Sequence, residues 1–471
     1  MKVSFGGIRS AMVLLLGIVL GLPAVAGAEV ELGQVVTRAD RITLGAEVRA
    51  RYENRYNHDF DDATPNSSDF TLLRTRLNLA AQVTDDVKAF IQVQDARIFG
   101  AEQNEAANEQ NLDLRQGYVD VLRFAGLPLT LRVGRQTLAY GDQRLIGAFE
   151  WNNVGRAFDG GRAMIDLADN LRLDLFATKI AELDDAVAEG ESLSPFAPTL
   201  AFPGPNPTEG GDEDQNFYGA YAQWKPGGQT VDAYLLYLED NSPEVAARGV
   251  GAGTPIQVHA TDDDLKLWTA GARLKGPVAA LAGLDYGFEG AYQFGDGADL
   301  DIRAFALHGE LGYALPLFRK SRLSVEANYA SGDDDATDDD FETFSNLFPT
   351  NHLHYGYMDR VGWSNTENYG VKLDSQLTGK LSTKLHAWLF KLAEEEDALY
   401  HAGGGTIFGP GAADGEDEVG QEVDLVATYK YNAVLTFQGA YAHFFIGDAV
   451  EAAKAEAEDA DFAYLQMAMK F

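Results

Sequence analysis

The chain has 471 residues, with 72 acidic against 37 basic side chains and a formal net charge of −35. Phosphate backbones are held by clustered Lys and Arg, so this balance excludes nucleic acid as a partner. There is no cysteine, which excludes disulfide staples, thiol chemistry and thiolate metal sites.

The N-terminus reads as a secretory leader. Lys2 and Arg9 precede or flank an apolar stretch, Ala11 to Leu22, and Ala26-Gly27-Ala28 fits the small-x-small cleavage rule. The stretch is shorter than the ~20 residues that a membrane helix needs. Residues 1–28 are therefore expected to be a signal peptide and 29–40 a short periplasmic segment. Past residue 28 no apolar run reaches membrane-helix length.

The rest alternates with period two. Leu44, Ala46, Val48, Ala50 and Tyr52 share one face, and Glu47, Arg49, Arg51, Glu53 and Arg55 the other. Leu73, Thr75, Leu77 and Leu79 alternate with Arg74, Arg76 and Asn78. Tyr286, Phe288 and Tyr292 alternate with Asp285, Glu289 and Gln293. Leu323, Val325 and Ala327 alternate with Arg322, Ser324, Glu326 and Asn328. Each pattern predicts a strand with one apolar and one polar face.

Eighteen such spans can be marked: 41–56, 69–83, 86–98, 112–124, 129–137, 161–167, 171–180, 216–225, 230–239, 264–275, 284–295, 302–315, 321–331, 367–377, 381–393, 421–430, 433–445 and 460–471. Short connections such as Thr84-Asp85 and Tyr431-Asn432 alternate with long ones such as 138–160 and 332–366. The pattern predicts an all-β fold, a transmembrane β-barrel of about 18 antiparallel strands over 41–471, with short periplasmic turns and long extracellular loops. The last strand alternates up to Phe471, a pattern that resembles the signal recognised by barrel-insertion machinery. Lipid and lipopolysaccharide are the expected surroundings.

In such a barrel the polar faces line the lumen. The inward list holds Arg49, Arg51, Arg55, Arg74, Arg76, Arg132, Arg172, Arg273 and Arg322, with Lys372, Lys384 and Lys430, among acids such as Glu47, Glu53, Asp120, Asp174, Glu289, Glu326 and Asp424. Arg49, Arg51, Arg74 and Arg76 fall on adjacent strands with one facing, forming a cationic ladder. A ladder of this kind concentrates anions, and guanidinium matches carboxylate with two hydrogen bonds. The alternative is bracing, in which cross-strand Arg–Glu pairs stiffen the wall.

The stretch 138–160 should be an extracellular loop, yet it carries Leu145, Ile146, Phe149, Trp151 and Phe158. It is too apolar to stay in water. Folded inward, it would carry Arg144 and Arg156 into the pore mouth; the alternative is a hairpin extending the wall, with Trp151 at the membrane interface. Acidic loop runs at 212–214, 333–335, 338–340 and 394–397 lack EF-hand spacing and read as solvated surface rather than Ca²⁺ or Mg²⁺ sites. His352 and His354 share a face if extended, but no third metal ligand accompanies them. No catalytic motif is present, and no cofactor is expected.

"LRVGRQTLAYGDQRLIGAFEWNNVGRAFDG" (Leu131 to Gly160) resembles a signature of the alginate-export family of outer-membrane proteins. "ASGDDDATDDDFETFSNLFPTNHLHYGYMD" (Ala330 to Asp359) resembles a second stretch of that family. The resemblance implies a monomeric eighteen-stranded barrel with an arginine-lined passage for an anionic polyuronate or its oligomers. The implied pathway residues are Arg49, Arg51, Arg74, Arg76, Arg132, Arg144, Arg156 and Arg172, with Arg135 as a further motif residue. One departure stands out: every periplasmic turn is short, and none is long enough to gate a polymer-exporting barrel from below. A general or differently selective porin is the second reading. A structural surface barrel is the third, and a barrel-embedded enzyme such as a lipase is the least supported.

Overall fold

The computed structural model describes residues 41–63, 67–100, 112–180, 215–240, 265–297, 300–335 and 337–471. The expected leader and the segment 29–40, and the acidic run at 212–214, lie outside them. No helix among the described residues is long and apolar enough to cross a membrane.

Among the described residues, eighteen barrel strands run up and down. The first nine are β1 (Ile42–Tyr56), β2 (Ser68–Gln82), β3 (Val87–Phe99), β4 (Leu112–Val121), β5 (Leu129–Gln136), β6 (Phe158–Ala168), β7 (Leu171–Ile180), β8 (Gln215–Trp224) and β9 (Thr230–Asp240). The second nine are β10 (Leu265–Pro277), β11 (Leu284–Gly297), β12 (Leu300–Leu315), β13 (Lys320–Ala330), β14 (Thr366–Gln376), β15 (Leu381–Lys391), β16 (Glu418–Lys430), β17 (Leu435–Ile446) and β18 (Ala460–Lys470). Each pairs antiparallel with its chain neighbours, and β18 closes on β1 with Lys470 opposite Glu47. Closure leaves no ladder edge unpaired, which is the condition for a sheet in hydrocarbon. Every span marked in the sequence holds a strand. β6 starts at Phe158 and β16 at Glu418, a few residues before the alternation becomes regular.

The burial pattern is inverted relative to a water-soluble sheet. Along β1, Arg49, Arg51, Glu53 and Arg55 are buried, while Leu44 and Tyr52 are exposed. Along β13, Ser324, Glu326 and Asn328 are buried between exposed Leu323 and Val325. Apolar side chains on the outside and charges on the inside make sense only when the outer solvent is lipid.

The short turns are closed by their own polar side chains. Thr84 Oγ1 accepts from the Asp86 amide, Thr378 Oγ1 from Lys380 and Leu381, and Asn432 Oδ1 from Val434 and Leu435. This is the local reason that Thr and Asn stand there. The loop end carries small additions. Asp340–Phe341 pairs parallel with Asp301 and Ile302 of β12, Leu399–Tyr400 pairs with Thr406–Phe408, and a six-residue helix spans Asp448–Ala453. The apolar core lies inside the barrel at this end, where Leu138, Leu145, Ile146, Phe158, Phe217, Phe344, Phe348 and Trp363 are buried together.

Candidate functional site

Two long connections fold into the lumen. The first joins β5 to β6 (137–157) and the second joins β13 to β14 (331–365). They are zipped to each other: Gly147 donates to Phe348 O (2.7 Å), Phe348 to Leu145 O (2.9 Å) and Thr350 to Gln143 O (2.9 Å). Phe348 then packs edge-on against Phe158 and Phe217 of the wall. The apolar residues that made 138–160 an improbable free loop are the ones that bury it.

The tip of the first loop lies on the arginine ladder. In the β1–β2 register Arg49 stands directly opposite Arg74. Two like charges face to face destabilise a sheet pair unless something negative lies between them. Here they share acceptors. Arg49 donates to Glu150 O (2.8 Å) and Asn152 O (3.1 Å), and Arg74 donates to the same two carbonyls (3.1 Å each). Arg51 donates to Trp151 O (2.8 Å), and its guanidinium lies 3.6 Å above the Trp151 ring. Trp151 stacks on its other face against His352 at 3.6 Å.

Glu150 is the centre of charge. Its carboxylate meets Arg76 Nη1 at 2.5 Å, Arg115 Nη2 at 3.1 Å and Arg74 Nη2 at 3.3 Å. Burial pushes this carboxyl up, but Arg76, Arg74 and Arg115 outweigh it and hold the group below the usual carboxylate range. The three arginines are 2–4% exposed, whereas the Glu150 side chain is 50% exposed. Six arginines of this wall — Arg49, Arg51, Arg55, Arg74, Arg76 and Arg115 — face three carboxylates, Glu47, Glu53 and Glu150. The patch keeps a positive excess.

A second cluster lies nearer the short turns. Arg132 of β5 stands opposite Arg162 of β6. Arg132 pairs with Asp120 (2.7 Å) and covers the Tyr118 ring at 3.7 Å. Arg162 and Arg172 share Asp174, and Arg172 stays 45% exposed.

The remaining sequence-marked residues divide between wall and loop. Arg144 is buried, pairs with Glu326 (2.9 Å) and donates to the Tyr355 hydroxyl (3.0 Å). Arg156 donates to Pro349 O (3.0 Å) and Gly147 O (3.3 Å), and burial followed by Arg115 pushes its guanidinium down to about 9. These two hold the loops together. Arg135 has the opposite strand parity to Arg132 and pairs with Asp159 and Asp113. The histidines have separate partners. His352 pairs with Asp359 (2.9 Å), and His354 Nε2 donates to Asp142 O (2.8 Å). In the acidic runs, Asp397 is a buried acceptor for Thr343 Oγ1, the Tyr400 hydroxyl and the Asp333 and Ala398 amides.

Two inward arginines escape the period-two reading. Arg115 is the extra residue of a β-bulge: Gln92 faces Gln116, but Val93 faces Leu114. A bulge re-aims one side chain, and strict alternation cannot register it. Arg162 follows Gly160-Gly161, where no apolar alternation marks the facing.

A family model described as alginate export matches residues 40–463. Among solved structures, the fold is similar to *Pseudomonas aeruginosa* OccK11 (OpdR), with a TM-score of 0.56 and 13% identity over 91% of this chain and 96% of that one. It is also similar to a BenF-like porin from *Pseudomonas fluorescens* Pf-5, with a TM-score of 0.58 and 10% identity over 91% and 98%. *Pseudomonas aeruginosa* OccD3 (OpdP) gives 0.57 and 13%, with 91% of each chain covered. A search of curated proteins gives no match. Family and fold are those of non-enzymatic channels. With a closed eighteen-stranded barrel, an apolar outer face and a match over most of its length, the chain belongs to the alginate-export family and is an outer-membrane channel.

Proposed function

We propose that the channel passes anionic saccharides, such as alginate or uronate oligomers, by passive diffusion along inward-facing arginines. The observation that carries this is the Arg49–Arg74 cross-strand pair within a wall of six arginines and three carboxylates. Bracing alone would favour alternating signs across the register. Guanidinium pairs spaced along a wall suit repeated carboxylates and hydroxyls. Arg132, Arg162 and Arg172 extend the cationic lining toward the periplasmic turns. Arg144 and Arg156 act in this scheme by fixing the two loops that shape the pathway. The exposed apolar band fits lipid and lipopolysaccharide acyl chains, Phe471 fits recognition by barrel-insertion machinery, and self-closure fits a monomer.

The test is liposome swelling with uronate trimers against neutral trisaccharides of similar mass. Faster entry of the uronates is the expected outcome. Equal rates would move the assignment to a general small-solute porin. The short turns at 83–86, 169–170 and 431–434 favour that second reading, since none of them is long enough to form a periplasmic element that handles a polymer. Absence of any flux would support a structural barrel.

A further inference from the structure

The loop tip that covers the ladder has the acceptor chemistry of a uronate chain. The main-chain oxygens of Ala148, Glu150, Trp151, Asn152, Val154 and Arg156 all accept from arginines of β1, β2 and β4. One carboxylate, that of Glu150, enters among them. A uronate offers the same set: a carboxylate flanked by hydroxyl and ring oxygens.

The fit is incomplete. Arg49 Nε and Arg115 Nε are buried donors without a hydrogen-bond partner, on side chains that are 5% and 2% exposed. A buried donor left unmatched is costly, so the cradle retains capacity for further acceptors. The loop base at Leu138, Leu145 and Ile146 is fully packed, while Trp151 to Gly155 are only partly buried and Glu150 is half-exposed. The tip can therefore be reached and exchanged without dismantling its base.

We propose that Arg74, Arg76 and Arg115 form a carboxylate-exchange subsite in which Glu150 is the resident ligand and a uronate carboxylate of the solute takes its place. This rests on the anionic-saccharide reading above. No bond is made or broken; one carboxylate replaces another on the same guanidinium groups, so the charge of the cradle is unchanged during occupancy. Glu150 thereby sets a threshold. Solutes without a carboxylate cannot displace it, and chloride competes as a single point charge without the two-oxygen geometry.

The experiment uses the full chain in planar bilayers with trimannuronate as the probe, comparing wild type with Glu150→Gln and with the exposed helix variant Glu451→Gln. Glu150→Gln should raise the chloride-to-potassium permeability ratio and lower the trimannuronate concentration for half-block by roughly tenfold. Glu451→Gln should change neither. Because the chain lacks cysteine, Glu150→Cys gives a second readout on channels already inserted. It should behave like Glu150→Gln, and a negatively charged methanethiosulfonate should return it toward wild type, whereas a positively charged one should not. If wild type is anion-selective and blocked by trimannuronate but position 150 has no effect, the exchange subsite is wrong and the anionic-saccharide reading stands. If wild type is neither anion-selective nor blocked, that reading fails and takes the subsite with it.

Discussion

At the residue scale, the site depends on a few side chains held where the sheet alone would not place them. Gly134 and Gly160 face each other across β5 and β6 and adopt φ of 126° and 154°. A Cβ at either would stand 2.2–2.3 Å from a backbone oxygen of the neighbouring strand. Gly160→Ala should therefore cost ~1–3 kcal/mol, read as a lower temperature for loss of the compact gel band of the folded barrel. Glu150 makes a pH prediction. Its folded-state pKa is depressed, so its contribution to holding the loop tip is present above the ordinary Glu value of ~4.3 and is lost as pH falls through the lower folded value. The difference in reversal potential between wild type and Glu150→Gln should hold from pH 7 to about 5 and vanish in stronger acid. A difference that disappears near neutrality would contradict the ion pairing. Most inward arginines were legible because alternation fixes facing: Arg49, Arg51, Arg74, Arg76, Arg132 and Arg172 follow from parity. Arg115 was not, since one extra residue in a bulge resets the count.

At the scale of elements, loop 138–160 announced its infolding through composition, but its partner did not. Residues 331–365 read as an acidic loop, and the zipper of Leu145 and Gly147 with Phe348 is a long-range pairing with no local pattern. Phe348 is 4% exposed and seals both loops against β6 and β8. Phe348→Ala should remove ~3–5 kcal/mol of packing at this junction. The barrel should survive, because its ladder does not involve Phe348. The expected result is intact heat-modifiability with larger, noisier single-channel currents; unchanged currents would show that the loops do not limit flow. His401, in the loop between β15 and β16, gives a separate pH test. Burial, then Arg360 and His58, pushes its imidazole down to about 3. It is neutral in the folded loop and would protonate when released, so its contribution is full above ~6.5 and declines as pH falls from there toward 3. Acidification from pH 7 to 5 should increase protease cleavage within 392–417, and His401→Gln should flatten that dependence.

At the scale of the molecule, two solvents are written into one alternating sequence. Apolar parity meets lipid and polar parity meets the lumen, and a substitution's effect should depend on parity more than on chemistry. Val325 is 52% exposed at the middle of β13. Val325→Arg should cost ~2–4 kcal/mol of folding into lipid vesicles. Lys384→Gln, on the inward parity of β15, should leave folding unchanged and shift selectivity toward cations. The fold was legible because closure, strand number and turn length all follow from period two and from Thr or Asn at the turns. How far the lumen is occupied was not, because that is decided by contacts between loops and wall far apart in the chain. Those contacts also bear on the charge balance, since Glu150 reaches the ladder only through loop infolding. The most direct measurement is the reversal potential of the wild-type channel across a KCl gradient, repeated after Arg74→Ala with Arg76→Ala. The predicted result is anion preference in the wild type that falls in the double variant. Cation preference in the wild type, or no change on losing both arginines, would contradict the arginine-lined anion pathway.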